Sequence, residues 1–299
     1  MFASEDDWTA GKAVTLRHGL LRILAPNPSA MTWRGTNSYV LGTDSVAVID
    51  PGPDSPAHLA ALLAAIADRP VSHIIVSHSH RDHSPLARPL AQATGAPVLA
   101  FGDSQAGRSA VMTRLAAAGL VGGGEGVDAD FAPDVTVRDG EVIDGAGWAL
   151  RVIHTPGHMG NHICLQWADA IFSGDHVMAW ATSLVSPPDG DLSDFMASCR
   201  KLRAKGPAYP GHGPVVTNLT TRIDWLISHR LTREAQIIGA LDRGPATIPT
   251  LTALIYTDIA ANLHPAAGRN TLAHLIDLHR RNIVSASPHL GADALFALA

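Results

Sequence analysis

Residues 71 to 83 constrain this chain more than any other stretch. The apolar run from Val71 to Val76 reads as a strand, and it stops at His78-Ser79-His80-Arg81-Asp82-His83. Three imidazoles and a carboxylate at one strand end are donors that suit zinc and related divalent ions. Period-two alternation sends His78 and His80 to the same side, and the turn brings Asp82 and His83 around to join them. A polar loop that is only histidine-rich would need no partner groups elsewhere.

Partner groups are present downstream. Val152-Ile153-His154-Thr155-Pro156-Gly157-His158 ends a second apolar strand with a tight turn and a histidine. Ala170-Ile171-Phe172-Ser173-Gly174-Asp175 ends a third with Gly then Asp, and Tyr209-Pro210-Gly211-His212-Gly213 ends a short fourth with a histidine between glycines. Each time a strand stops, glycine or proline turns the chain and one ligand-capable side chain follows. Strand-end donors repeated in this way predict a two-metal site on the edge of a sheet.

The set His78, His80, Asp82, His83, His158, Asp175 and His212, preceded by Val48-Ile49-Asp50-Pro51-Gly52, resembles the metallo-β-lactamase superfamily over residues 13 to 213. The resemblance implies an α/β fold, an αββα sandwich of two sheets with helices outside. It also implies that His78, His80 and His158 hold one ion, that Asp82, His83 and His212 hold the other, and that Asp175 bridges both. Two cations about 3.5–4 Å apart need an anion between them, which a carboxylate supplies. A metal-bound hydroxide is then the nucleophile, because coordination lowers the pKa of water to roughly 7. Asp82 both ligates and orients it, and no Ser or Cys nucleophile is required. Zinc is the expected metal, and iron or manganese suit the same donors.

Two residues beside this set are candidates for supporting it. Asp50 ends a central strand, where it either holds a metal-binding histidine or accepts hydrogen bonds in a turn. His154 precedes the His158 turn and either orients a ligand or packs within its strand. His162 and His176 also lie close in sequence to the candidate ligands.

The chain has 299 residues, enough for one large and one small domain, and 46% of them are apolar. No apolar run approaches the roughly 18 residues of a membrane helix. The acidic start, Met1-Phe2-Ala3-Ser4-Glu5-Asp6-Asp7, shows neither a secretory nor a transit signal. The two cysteines, Cys164 and Cys199, form no CxxC pattern, and Cys164 sits in an apolar run as a buried thiol. These features predict a cytoplasmic enzyme without structural disulfides and without a membrane partner.

Strands are predicted at Val14 to Leu24, Ser38 to Leu41, Val46 to Ile49, Val71 to Val76 and Pro97 to Ala100. Further strands follow at Glu141 to Ile143, Trp148 to Ile153, His162 to Gln166 and Ala170 to Ser173. Helices are predicted at Pro56 to Ala67, Pro85 to Thr94 and Leu192 to Lys205, the first two opened by Ser-Pro pairs. Residues 101 to 134, with Gly122-Gly123-Gly124-Glu125-Gly126, read as an insertion or lid over the cleft, or as a surface loop with one covering helix.

After Pro214 the pattern turns helical. Leu219 to Leu241 places Ile223, Leu226, Ile227, Leu231, Ile237, Ile238 and Leu241 close to a 3.6-residue period. Thr250 to Thr257 and Pro265 to Arg281 read as shorter helices, and Ile283-Val284 opens a strand. This arrangement resembles the winged-helix appendage of the superfamily branch that includes the β-lactamase-like protein 2 group. The segments Arg34-Gly35-Thr36-Asn37-Ser38-Tyr39 and Ala273-His274-Leu275-Ile276 fit the same branch. The chain thus divides into a dinuclear hydrolase domain, 1–213, and a small helical winged-helix-like domain, 214–299. The second part carries seven Arg and no Lys against five Asp and one Glu, so it is near +1. Nucleic-acid binding needs a basic face, so the appendage is expected to cover the cleft or mediate a homodimer instead.

By the resemblance, a bridging Asp175 argues against β-lactam hydrolysis, since true zinc β-lactamases lack it. It points to the branch of thioesterases, lactonases, glyoxalase II-like enzymes and nucleases, in which metal-bound hydroxide attacks a carbonyl or phosphoryl centre. The expected substrate is a small ester, thioester or lactone. An endoribonuclease acting on single-stranded RNA ranks second, because the chain is acidic, at −5, and has no room for a large inserted domain. A β-lactamase ranks third.

Overall fold

The computed structural model describes residues 7–122, 126–202 and 206–299. The acidic residues 1–6, the centre of the glycine run (123–125) and the end of the helix expected to reach Lys205 lie outside the described residues.

Two sheets face each other. The first contains β1 (Ala13–Arg17), β2 (Leu20–Leu24), β3 (Asn37–Leu41), β4 (Val46–Ile49), β5 (Val71–Ile75), β6 (Val98–Ala100) and β7 (Val135–Thr136), paired in that order. The second contains β8 (Val142–Gly145), β9 (Trp148–His154), β10 (Ile163–Trp167), β11 (Ala170–Gly174) and β12 (Ala208–Pro210), in the order β12-β11-β10-β9-β8. The expected single strand Val14 to Leu24 is an antiparallel hairpin, β1 with β2. Gly19 makes the turn at φ +73, a conformation that favours glycine.

Alternation along the strands separates two cores. Tyr39, Leu41, Ile49 and Ile75 of the first sheet meet Leu150, Val152, Leu165 and Phe172 of the second. Val40, Val48 and Ile74 point the other way, onto α1 (Pro56–Ile66) and α2 (Ala87–Thr94), where Leu62, Ile66 and Leu90 cover them. Each such side chain contributes about 1.5–3 kcal/mol when fully buried. Ser55 caps α1 by accepting from the His58 N–H, at 3.3 Å. The Ser84-Pro85 pair does not open α2, whose cap is Leu86. The Ser84 hydroxyl instead donates to the His80 carbonyl and the Asp128 carboxylate, so it braces the histidine loop.

The outer face of the second sheet is covered by α4 (Leu192–Lys201) and the first half of α5 (Leu219–Leu241), through Phe195, Cys199, Ile223 and Leu226. The far half of α5, with Ile237 and Leu241, belongs to a separate core with α6 (Ile248–Ile255), α7 (His264–Arg280) and the hairpin β13 (Val284–Ser287) and β14 (Leu295–Leu298). Leu231, expected in the apolar stripe, is 50% exposed, because the helix passes from one core to the other around it. The stretch 101–134 contains α3 (Ala110–Ala117), whose Met112 and Leu115 join the C-terminal core. Among the described residues no helix is long and apolar enough to cross a membrane. Both cysteines are buried, and burial pushes each thiol up to about 12.

Candidate metal centre and cleft

The donors gather where strands end on one edge of the sandwich. Parallel pairing of β4 with β5 sets Asp50 beside Ser77. Asp50 adopts φ +50, a left-handed conformation that Asp tolerates. Its carboxylate accepts from the Ser77 N–H at 2.7 Å and from the Ser77 hydroxyl at 2.8 Å. With its proton given to Asp50, Ser77 Oγ accepts from His78 Nδ1 at 2.9 Å. This assigns the lone pair of His78 to Nε2.

His78 Nε2 and His158 Nε2 each lie 3.0 Å from His80 Nδ1. His158 Nδ1 donates to the Leu184 carbonyl at 2.7 Å, so its Nε2 also carries a lone pair. Three nitrogens bound about 2.0–2.1 Å from one zinc-sized ion stand roughly 3.3 Å apart in tetrahedral geometry. The two spacings to His80, 3.0 Å each, are close to that requirement. Burial and the neighbouring His158 lower His80 to about 3, and burial holds His78 well below its ordinary value, so these two rings are neutral and ready to ligate.

The second group surrounds Asp82. Its Oδ2 lies 3.1 Å from His212 Nε2 and 3.3 Å from His83 Nε2, and accepts from Thr36 Oγ1 at 3.1 Å. His83 Nδ1 faces Asp50 Oδ2 at 3.1 Å, and His212 Nδ1 faces the Gly35 carbonyl at 3.2 Å. Asp175 stands between the groups. Its Oδ2 is 3.7 Å from His158 Nε2 and 3.3 Å from His212 Nε2, and its Oδ1 is 3.6 Å from His83 Nε2. Within this centre, His78, His80 and His158, then His78, His83 and Asp175, then Asp82, His83 and His212, each keep their ligand atoms within 4.8 Å of one another.

Burial opposes charge on His212, but Asp175 and Asp82 outweigh it and raise its pKa to about 10; His83 is raised by the same kind of contest. The buried carboxylates thus demand positive charge, which protons supply when no metal does. His83 Nε2 and Asp175 Oδ1 are both buried without a hydrogen-bond partner. Two such atoms 3.6 Å apart fit a cation between them in place of the proton.

The backbone is shaped for this approach. A Cβ at Gly211 would stand 2.3 Å from Asp175 Oδ1 and 2.7 Å from the His83 ring, so only glycine fits there. The Asp175 N–H donates to His162 Nε2 at 3.2 Å, and Thr155 Oγ1 holds the other ring nitrogen of His162 at 2.8 Å. His176 lies against Phe195 and Cys199 rather than in the centre. His154 stacks on Phe101 at 3.7 Å and binds the Gly160 carbonyl at 2.9 Å. It therefore contacts the backbone of the turn that carries His158, and none of the metal-binding candidates.

Sequence reasoning missed Ser77, Thr36, and the carbonyls of Gly35 and Leu184. Thr36 lies inside the Arg34 to Tyr39 segment already singled out; the carbonyls carry no residue-specific signal. It also missed the composition of the cleft. A cavity of about 580 Å³ has His80, Asp82, His158, Asp175 and His212 at its polar end, and its lining extends to Tyr256, Ile259 and Leu263 of the C-terminal part.

Comparison with known proteins places the chain in a family. Residues 31–212 match the model of the metallo-beta-lactamase superfamily, and residues 247–290 match the beta-lactamase associated winged helix domain. A beta-lactamase-like protein 2 homolog from Drosophila melanogaster is 30% identical over 291 residues, covering 90% of each chain. An atrochrysone carboxyl ACP thioesterase from Paecilomyces divaricatus is 32% identical, over 75% of this chain but 65%, just under two thirds, of its own length. Among solved structures, a metallo-beta-lactamase family protein from Thermus thermophilus superposes with a TM-score of 0.75 at 25% identity, covering 95% of this chain and 100% of that one. A beta-lactamase domain protein from Burkholderia ambifaria shares the fold, with a TM-score of 0.80 at 20% identity over 97% of this chain and 94% of its own. The chain belongs to the metallo-beta-lactamase superfamily of hydrolases and carries that superfamily's associated winged helix domain at its C-terminal end.

Proposed function

We propose that this protein is a dinuclear metal-dependent hydrolase acting on a small ester, thioester or lactone. The position of Asp175 carries this reading: one carboxylate reaches His158 of the first donor group and His83 and His212 of the second. His78, His80 and His158 would hold one ion, Asp82, His83 and His212 would hold the other, and Asp175 would serve both. Zinc suits these donors, as do iron and manganese. Bound divalent ions supply Lewis acidity and lower the pKa of coordinated water to roughly 7.

The chain's own groups do the rest. Asp82 keeps 23% of its side chain exposed while lining the cleft, so it accepts an O–H from the attacking water and holds that water in line. Asp50, Gly35 and Leu184 fix the rings of His83, His212 and His158 by their Nδ1 atoms. The buried thiols, held up to about 12, take no part.

The thioesterases among the relatives support acyl chemistry. A cleft with an apolar side, beside a C-terminal segment near +1, favours a small molecule over nucleic acid. The test is a substrate panel of thioesters, lactones, β-lactams and single-stranded RNA on zinc- or manganese-loaded protein, with metal content measured in parallel. Acyl ester or lactone turnover at close to two ions per chain is expected. Turnover confined to RNA or to β-lactams overturns the reading.

A further inference from the structure

Away from the donors, much of the cleft lining is apolar. Tyr256, Ile259, Leu263, Ala266 and Ala267, all from the connection between α6 and α7 and the start of α7, form one wall. Met178, Trp180 and Leu184 line it from the hydrolase part. Two polar oxygens of this wall are already engaged. The Tyr256 hydroxyl is paired with Thr271, and Asn270 Oδ1 accepts from the Val185 N–H at 3.1 Å and from Arg230 at 2.8 Å. A largely apolar wall recognises shape and hydrophobicity.

The wall is also held at a set position relative to the donors. Buried Arg230 of α5 donates to Asn270 on α7 and to the Ser183 carbonyl. The next residue, Leu184, receives His158 Nδ1 through its carbonyl. One chain of contacts therefore runs from the winged helix domain through α5 to a candidate metal ligand. A group lying on the wall is placed beside the centre where a scissile carbonyl has to sit.

We infer that the α6–α7 segment is the acyl-selecting wall of this enzyme, and that the substrate carries a bulky apolar acyl group. This rests on the acyl-hydrolase reading above. The winged helix domain then contributes specificity, with its helices turned to the cleft, rather than nucleic-acid contacts. Ile259 and Leu263 are only partly buried, so they are free to contact a ligand.

The experiment uses the full-length, metal-loaded protein and N-acetylcysteamine thioesters from acetyl to decanoyl. The ratio of kcat/KM for decanoyl over acetyl is expected to exceed roughly tenfold in the unmodified protein. Leu263→Arg and Ala266→Phe should each cut that ratio by about tenfold, while Leu263→Met preserves it. Calorimetry with a thioether analogue of the decanoyl thioester, which cannot be hydrolysed, should show the same loss of affinity in the two disruptive variants. A flat acyl preference, or a preference that survives both variants, overturns the inference. If no thioester is turned over yet the analogue binds with this dependence on Leu263 and Ala266, thioester hydrolysis fails and the wall stands.

Discussion

Asp50 Oδ2 lies 3.1 Å from His83 Nδ1, and the same carboxylate holds the N–H and hydroxyl of Ser77. One carboxylate thereby sets the orientation of His83 directly and of His78 through Ser77. Loss of such outer partners costs about 10–100-fold in metal affinity. Asp50→Ala is expected to weaken binding of at least one ion by that amount, measured by competition with a chromophoric chelator. Unchanged affinity for both ions would mean that Asp50 only shapes the turn.

Asp175→Ala should cost more. It removes the carboxylate shared by the two donor groups, leaving two cations with no anion between them. Occupancy should fall below two ions per chain and turnover should vanish, as read by elemental analysis alongside the assay. Removing the metal with a strong chelator should abolish turnover in the unmodified protein, and zinc or manganese should restore it. Protein that contains only trace divalent metal after metal-replete expression would sink the two-ion model.

Asp82→Asn keeps the size of the side chain but removes its charge and its capacity to take a proton. It should lower kcat by about 10²–10⁴-fold, the range of a lost general base. Cys164→Ser and Cys199→Ser should leave the chemical step in place, since neither thiolate forms at neutral pH. A covalent acyl or phosphoryl adduct on any side chain, trapped and seen by mass spectrometry, contradicts this mechanism.

Acid should destabilise the fold through one buried and one half-buried histidine outside the centre. Burial lowers His58 from 6.5 to about 4, while its ring meets Ser38 Oγ at 2.8 Å. Burial, then the nearby Arg230, lowers His229 to about 4 as well. The unfolded chain therefore binds these protons first. Their contribution is complete above pH 6.5 and is lost as pH falls from 6.5 towards 4. Melting temperature followed across that window should drop, and His58→Asn should make the slope shallower. An unchanged slope in that variant would assign the acid sensitivity elsewhere.

Affinity for single-stranded RNA should be weak at every salt concentration tested. Residues 214–299 are near +1, and Arg222, Arg230, Arg233 and Arg281 already bond to carbonyls, side-chain amides or carboxylates. Tight binding that falls steeply with salt would reveal a phosphate-contacting face and put ribonuclease activity first.

The donor set was legible in the chain because it is a matter of side-chain identity at strand ends. His78, His80, Asp82 and His83 need only one strand and one turn to converge, and His158, Asp175 and His212 repeat that grammar. The 3.6-residue period marked α5 from Leu219 to Leu241 to the residue. Local rules failed where tertiary packing outweighed them. Val14 to Leu24 is continuous in β propensity yet folds back at Gly19, and the Ser84-Pro85 pair resembles a helix start while its hydroxyl serves the histidine loop.

By itself, then, the sequence determined which metal-capable side chains stand at the strand ends and the layered α/β framework, since both follow from residue type and short-range periodicity. Tertiary structure alone decided that the first half of α5 would cover the second sheet, that α3 would join the C-terminal core, that Leu231 would face solvent, and that Leu184 and Gly35 would offer their carbonyls to His158 and His212. It also decided that Tyr256, Ile259 and Leu263 would wall a cleft whose donors all lie far earlier in the chain. Such contacts depend on how distant segments pack. A backbone carbonyl or an apolar side chain looks the same in sequence wherever the fold puts it.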